Sequence, residues 1–202
     1  IDRLGEYYRF QTQGGQLTEF NQPYAVSPRF IAHHQTTSSF YAIISKSGKA
    51  MFIDYGSASG VYFSNFLNAT PAVDRIRFVE HNIETLKRRH GLKSVDVAMP
   101  SHMHDDHMNG FPHLIRHHGT RVWCYENMVD ILQNPHGHNL GCTLGEPFKV
   151  ERAFRHGERF QWEEFEFEMT HSPGHTEYQM ALFVTIDGAR VAFTGDAFFT
   201  NP

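Results

Sequence analysis

Cysteine is nearly absent from this chain, with only Cys124 and Cys142 among 202 residues. Two thiols outside any Cys-x-x-Cys arrangement exclude a thiolate zinc finger and a small scaffold stapled by several disulfides. Cys124 sits in the apolar run Val122-Trp-Cys-Tyr125 and reads as a buried core thiol, while a pairing with Cys142 stays open. No apolar run approaches the ~20 residues that a membrane-spanning helix needs. Charge is also sparse: 20% of the residues are charged and the net charge is −4. The one compact basic run, Lys87-Arg88-Arg89, reads as the solvated end of a helix. No basic stretch is interleaved with aromatics, so nothing marks a polyanion binder and nucleic acid is not indicated as a partner. Internal repeats and low-complexity tracts are missing too. Cysteine usage demands no oxidising compartment, so a cytoplasmic location is favoured and the compartment is otherwise unknown.

Histidine is what the chain has in abundance, fifteen in all. Four potential metal ligands, His102, His104, Asp106 and His107, fall within six residues of the run Ser101-His-Met-His-Asp-Asp-His107. Imidazoles at i and i+2 of an extended chain point to one side and can share an ion. The carboxylate and imidazole that follow point elsewhere and can hold a second. Imidazole nitrogen and carboxylate oxygen suit Zn²⁺ and similar first-row metals, and the lack of thiolate argues against a closed structural site. So dense a ligand run is costly to place without a cation.

Two later segments join it. Met169-Thr-His-Ser-Pro-Gly-His-Thr176 follows the alternating stretch 165–169, and its Ser-Pro-Gly turn presents His175 from a loop mouth. Val191-Ala-Phe-Thr-Gly-Asp196 is a strand with Asp196 at its tip, where a carboxylate can bridge two cations. The remaining histidines read more plainly. His113, His117 and His118 are expected to be solvated or hydrogen-bonded, and the His-x-His of 136–138 to lie on an exposed turn.

The order and spacing of these segments, with Phe52-Ile-Asp-Tyr-Gly56, resemble the metallo-β-lactamase superfamily, a group of hydrolases that includes glyoxalase II, lactonases and tRNA-processing nucleases. The resemblance runs from about residue 30 to the C-terminus and is nearest to the glyoxalase II and lactonase branches. It implies an α/β (α+β) fold of four αββα layers with mixed sheets. It further implies that His102, His104 and His175 hold one metal, that Asp106 and His107 hold a second, and that Asp196 bridges both. Asp54 falls where the family orients metal-site residues rather than binding metal. His171 is expected to pack at the strand end. His33, His34, Tyr178, Phe198 and Phe199 are candidates for substrate contact.

The family completes its second site with a further His on a later strand, and this sequence stops six residues past Asp196. The domain therefore reads as incomplete at the C-terminus, with the remainder of the chain or another subunit needed to finish it. Residues 1–29 read as an extension or linker with a short helix over 2–10, and 30–202 as the metallo-β-lactamase-like domain. Within it, strands are expected at 40–44 and 49–54, a helix opening at Thr70-Pro71 and ending at Gly91, and a strand at 95–99. A helix over 111–118, a strand over 121–125 and a helix over 126–133 come next, and 148–199 is strand-rich.

The expected cofactor is two Zn²⁺ ions, with iron or manganese as alternatives. The expected function is hydrolysis of a small-molecule ester, thioester or lactone, with Asp106 the catalytic residue that orients the nucleophile and moves its proton. Asp196, where class B1 β-lactamases carry Cys, argues against antibiotic hydrolysis. A phosphodiesterase is the alternative within hydrolases. A mononuclear iron oxidoreductase resembling the sulfur dioxygenases, and an inactive metal-binding scaffold, are the alternatives from other classes.

Overall fold

Residues 50–53, Ala-Met-Phe-Ile, are apolar without alternation, as a strand covered on both faces requires. They form β4 (Lys49–Ile53), and Ala50, Met51, Phe52 and Ile53 are all fully buried. β3 (Ser39–Ile44) lies antiparallel to it across a turn closed by Gly48, whose φ of 88° suits a residue without a Cβ. The structure, a computed structural model, describes residues 23–34, 38–56 and 72–198, the side chains of His34 and residues 72–79 excepted. The short helix expected over 2–10 and the Thr70-Pro71 helix start lie outside the described residues.

On one side of β3 the sheet continues antiparallel through β2 (Phe30–His34) and β1 (Tyr24–Ser27). Residues 24–27, assigned to the extension in the sequence reading, are thus the edge strand of this sheet, placed there by backbone pairing that no side-chain pattern announces. On the other side of β4 the pairing turns parallel: β5 (Ser94–Met99), β6 (Arg121–Tyr125) and β7 (Arg152–Phe154) complete seven strands in sequence order. Parallel neighbours need crossovers. These are α1 (Ala72–His90), α2 (Phe111–His118) and the region of α3 (Val129–Gln133), the last preceded by a tighter turn at Glu126–Met128. α1 buries Ile83 and Leu86 and ends at Gly91, in the left-handed region at φ 72°. Lys87, Arg88 and Arg89 are exposed in its last turn. None of the described helices is long and apolar enough to cross a membrane.

A second, antiparallel sheet is built from β8 (Arg159–Trp162), β9 (Phe165–His171), β10 (Met180–Ile186) and β11 (Ala189–Phe193), in the order β11-β10-β9-β8. Alternating burial along β8 and β9 marks one face turned inward. Aromatic rings join the sheets at both ends. Phe160 stacks on Phe154 with centroids 4.0 Å apart, and Phe30 meets Phe193 edge-on at 5.5 Å. The architecture is the mixed, two-sheet αββα arrangement. Cys124 is buried in the core and Cys142 exposed, and both are free thiols; burial pushes the Cys124 thiol up to about 12.

A partly buried polar tie crosses the sandwich. The Asp96 carboxylate on β5 accepts from Arg121 Nη2 at 2.7 Å and from the Trp162 indole of β8 at 2.8 Å. Partial burial raises the Asp96 carboxyl, but its two donors outweigh that and hold it below the usual range. A depressed folded-state pKa contributes stability above the unfolded value of ~3.9 and loses it as pH falls through the folded value. Replacing Asp96 by Ala strands a buried indole donor and is expected to cost about 1–3 kcal/mol at neutral pH. The difference from wild type in urea unfolding should narrow as the solution is acidified. A gap that does not change with pH would assign the loss to packing instead.

Candidate metal centre

The C-terminal ends of β4 and β5 lie side by side because the strands are parallel, so the loops that leave them meet. Asp54 stands at the end of β4 with a left-handed φ of 56°, and its backbone N–H bonds Met99 O at 2.9 Å. That turn aims its carboxylate at the loop after β5. Asp54 Oδ1 accepts the Ser101 N–H at 2.6 Å, and Oδ2 accepts both the Ser101 hydroxyl and His107 Nδ1 at 2.9 Å. Asp54 is 3% exposed, so its charge is held by these donors rather than by water.

These contacts dictate tautomers. The single hydroxyl proton of Ser101 goes to Asp54. Ser101 Oγ must therefore accept from His102 Nδ1, which lies 3.0 Å away. With its proton on Nδ1, His102 presents a lone pair at Nε2. That nitrogen is 3.0 Å from His104 Nδ1, which in turn is 3.1 Å from His175 Nε2. His104 Nδ1 carries at most one proton, so it cannot satisfy both neighbours. Three imidazole nitrogens with a deficit of protons face one another, and all lie within 4.8 Å. His102 is fully buried.

A second group adjoins the first. His107 donates Nδ1 to Asp54, which turns Nε2 toward Asp196 Oδ1 at 3.4 Å and Asp106 Oδ2 at 3.9 Å. His107 Nε2 is buried and makes no hydrogen bond. Asp196 Oδ2 also lies 3.7 Å from His175 Nε2, so its carboxylate reaches both groups. An orphaned ring nitrogen between two carboxylates, beside converging imidazole lone pairs, is a donor set that fits divalent first-row cations. Burial, joined by the other imidazoles, lowers His102 far below the usual range and His104 to about 4. Burial would also depress His107, but Asp54, Asp196 and Asp106 outweigh it and raise the ring well above its usual value. Burial raises the Asp106 carboxyl; burial acts the same way on Asp196, where His107 and the other imidazoles reverse it.

Each segment is placed by backbone contacts. His102 pairs with Gln179 at the start of β10, whose side-chain amide donates to Thr194 O at 3.1 Å. That ties the His175 loop and the Asp196 turn to the same edge. His104 pairs with Thr143, and Asp105 N–H bonds Cys142 O at 2.7 Å. Tyr55 N–H holds His107 O at 2.7 Å, and Ser38 donates to Asp106 O at 2.9 Å. Gly56 and Gly195 sit where backbone or Ser101 approaches so closely that a Cβ would overlap Asp106 O in one case and Ser101 Oγ in the other. Ser101, Gln179 and Ser38 escape sequence reading because a lone Ser or Gln carries no ligand signal; the Asp-x-Gly pattern was the one pointer to Gly56.

The candidates for substrate contact separate. His33, 1% exposed, is packed edge-on against Phe40 within the first sheet. The His34 side chain and Phe199 lie outside the described residues. Tyr178 is half-buried against the core, whereas Phe198 is 78% exposed beside the Asp196 turn. His171 stacks on Tyr125 at the end of β9 and donates to Glu177 O at 2.8 Å. In the 136–138 turn, His138 pairs with Asp130 at 2.9 Å.

Residues 72–202 match the family model described as the metallo-beta-lactamase superfamily. Similar solved structures include a metallo-beta-lactamase from Cronobacter sakazakii with a mutated HARLDQ motif, at 19% identity and a TM-score of 0.67, covering 86% of this chain and 63% of that one. The subclass B3 metallo-beta-lactamase BJP-1 of Bradyrhizobium japonicum matches at 17% identity and a TM-score of 0.65, covering 88% and 64%. The class B3 di-zinc enzyme LRA-12 from an Alaskan soil metagenome matches at 14% and 0.63, covering 88% and 65%. The chain thus spans under two thirds of the length of each. No curated protein matches the sequence significantly.

Gly56 offers a test of the packing behind the centre. Gly56→Ala places a methyl group on the Asp106 backbone, which cannot rotate aside as a side chain would. The loop must shift, and the variant is expected to lose about 1–3 kcal/mol in denaturant unfolding and to bind zinc more weakly. Wild-type stability together with wild-type zinc affinity would show that the two loops are not in contact.

Proposed function

The chain belongs to the metallo-β-lactamase superfamily, and from that premise we propose that it is a metal-dependent hydrolase whose two cation positions are built from the residues just described. His102 Nε2, His104 Nδ1 and His175 Nε2 would hold the first; His107 Nε2 and Asp106 would hold the second, with the Asp196 carboxylate in reach of both. The observation that carries this reading is the enforced tautomer of His102 and His107. Each ring is made to spend its proton on Nδ1, so that the facing nitrogen is a bare lone pair in the neutral form. Zn²⁺ is the ion this donor set favours, with iron or manganese as alternatives.

When bound, such ions supply Lewis acidity, acidifying water and polarising a substrate oxygen. The chain's own groups do the rest. Asp106 projects its carboxylate from the motif turn, close to His107 Nε2, and takes the proton of the attacking water. Its burial, which raises its proton affinity, favours that transfer. Asp54 keeps His107 and, through Ser101, His102 in register while charge develops. His175, on the loop after β9, and the exposed Phe198 border the open side where a substrate enters.

For substrate we propose a small acyl compound, an ester, thioester or lactone. The His-Ser-Pro-Gly-His-Thr segment at 171–176 supports this reading by its resemblance to the thioesterase and lactonase branches. A β-lactam is the second reading, favoured by the names of the similar structures, two of them class B3 metallo-beta-lactamases, to which an argument from the Cys of class B1 does not apply. The same attack on an acyl carbon serves both.

Hydrolysis of a panel of esters, thioesters, lactones, β-lactams and phosphodiesters separates these readings. His104→Ala and Asp106→Asn are each expected to lower turnover of the best substrate by ~100-fold or more. Undiminished turnover in either variant would remove that residue from the reaction. Metal content against pH gives a second test. Protons compete for each ring nitrogen. His104, held near 4, and His102, lower still, stay free of protons on mild acidification. The raised His107 takes its proton at higher pH, and a protonated ring cannot ligate. On dialysis from neutral pH downward, the equivalent held by His107 is therefore expected to leave before the one held by His102 and His104. Simultaneous loss of both would contradict the unequal sites.

A further inference from the structure

Away from this centre, α1 and α2 face each other through three polar side chains. Glu80 of α1 accepts on one oxygen, Oε1, from two rings of α2: His118 Nε2 at 2.8 Å and His113 Nε2 closer still. The three atoms lie within 4.8 Å of one another. The imidazoles are largely enclosed, with side-chain exposures of 12% and 18%, and the carboxylate is more open at 38%. His117, exposed on the same helix, stacks beside His113 with ring centroids 4.4 Å apart. None of these residues takes part in the centre described above.

The arrangement is more than a pair of hydrogen bonds. Two imidazoles from one helix converge on a single carboxylate oxygen of another. Each neutral ring can move its proton to Nδ1 at no change of charge and turn an Nε2 lone pair inward. A cation would then face two imidazole nitrogens and one carboxylate oxygen, a His₂Glu set that suits Zn²⁺ and its first-row neighbours and disfavours Mg²⁺ and Ca²⁺. Bonds of ~2.0–2.2 Å to a tetrahedral ion hold ligand atoms somewhat farther apart than they stand here. The side chains must spread slightly, which their partial exposure permits. A fourth position remains for water or for the exposed His117.

We propose that Glu80, His113 and His118 form a further divalent transition-metal site that clamps the two crossover helices together. The clamp is structural. It joins α1, which carries the chain from β4 to β5, to α2, which follows directly on the His-rich motif. An ion bound only by the folded pair of helices stabilises the fold by mass action.

The test uses the full chain, zinc alone as the probe, and two readouts that do not depend on hydrolysis. Zinc per chain is measured by elemental analysis after equilibrium dialysis, and thermal midpoints are measured with and without zinc. The proteins are wild type, Glu80→Gln, His118→Gln, the double variant His102→Ala/His104→Ala, and that double variant with Glu80→Gln added. Glu80→Gln and His118→Gln are each expected to bind one zinc fewer than wild type, or to bind that equivalent at least ~10-fold more weakly. The double variant should keep this zinc and still be stabilised by it, and adding Glu80→Gln should remove one further zinc equivalent and shrink the zinc-dependent rise in midpoint. Wild-type zinc content and an undiminished zinc-dependent rise in both Glu80→Gln and His118→Gln would overturn the proposal. Glu80 would then be a plain acceptor for two rings. Because the clamp is read in a background without His102 and His104, its failure and a failure of the hydrolase reading are told apart.

Discussion

A single buried carboxylate organises the centre of this molecule. Asp54 is cut off from water, and an isolated charge there would be prohibitive. It survives because Ser101 offers a backbone N–H and a hydroxyl, and His107 a ring N–H, all within 2.9 Å. The same three bonds have a second effect. They consume the proton of His107 Nδ1 directly and that of His102 Nδ1 through Ser101, which leaves lone pairs on the nitrogens that face inward. The compensation of one charge and the preparation of a cation-binding pocket are one arrangement. The left-handed backbone at Asp54 is the local strain that this aim requires.

Around it, the fold brings together four loops from two sheets. Parallel pairing of β4 and β5 sets Asp54 beside the 101–107 turn, while antiparallel β9, β10 and β11 deliver His175 and Asp196 to the opposite rim. Gln179 stitches the rims through its backbone to His102 and its amide to Thr194. Rigid strands behind short loops hold ligand atoms to a tolerance that mobile loops could not keep. The electrostatics then divide the pocket. Burial and the neighbouring imidazoles drive His102 and His104 toward the neutral form, whereas Asp54, Asp196 and Asp106 outweigh burial at His107 and drive that ring toward the charged form. That division is the physical basis of the proposal that the two cation positions are unequal.

Likeness to solved β-lactamases below 20% identity carries the fold and no more. Chemistry on this scaffold depends on the groups around the donor set, and Phe198 and Tyr178 lie close in sequence to Asp196 and His175. The cluster of Glu80, His113 and His118, proposed above as a further metal site, lies where two crossover helices meet. There His113 and His118, expected from sequence to be solvated or hydrogen-bonded, share a single acceptor from a helix more than thirty positions away.

What the sequence by itself determined was local and periodic. The dense run at 102–107, the turns that set off His175 and Asp196, the twin strands at 39–53 and the helix at 111–118 each carry their signal within a dozen residues, because ligand spacing, turn chemistry and burial period are short-range properties. Tertiary structure decided the rest. Nothing near Ser101 marks it as the relay that orders a tautomer, since that role exists only once Asp54, 47 positions earlier, is beside it. Nor does the composition of 24–27 reveal an edge strand or that of 33 a buried ring; sheet pairing and enclosure arise from partners distant in sequence. Proton placement, cation spacing and the joining of α1 to α2 are all relations between remote segments, and only the packed chain has them.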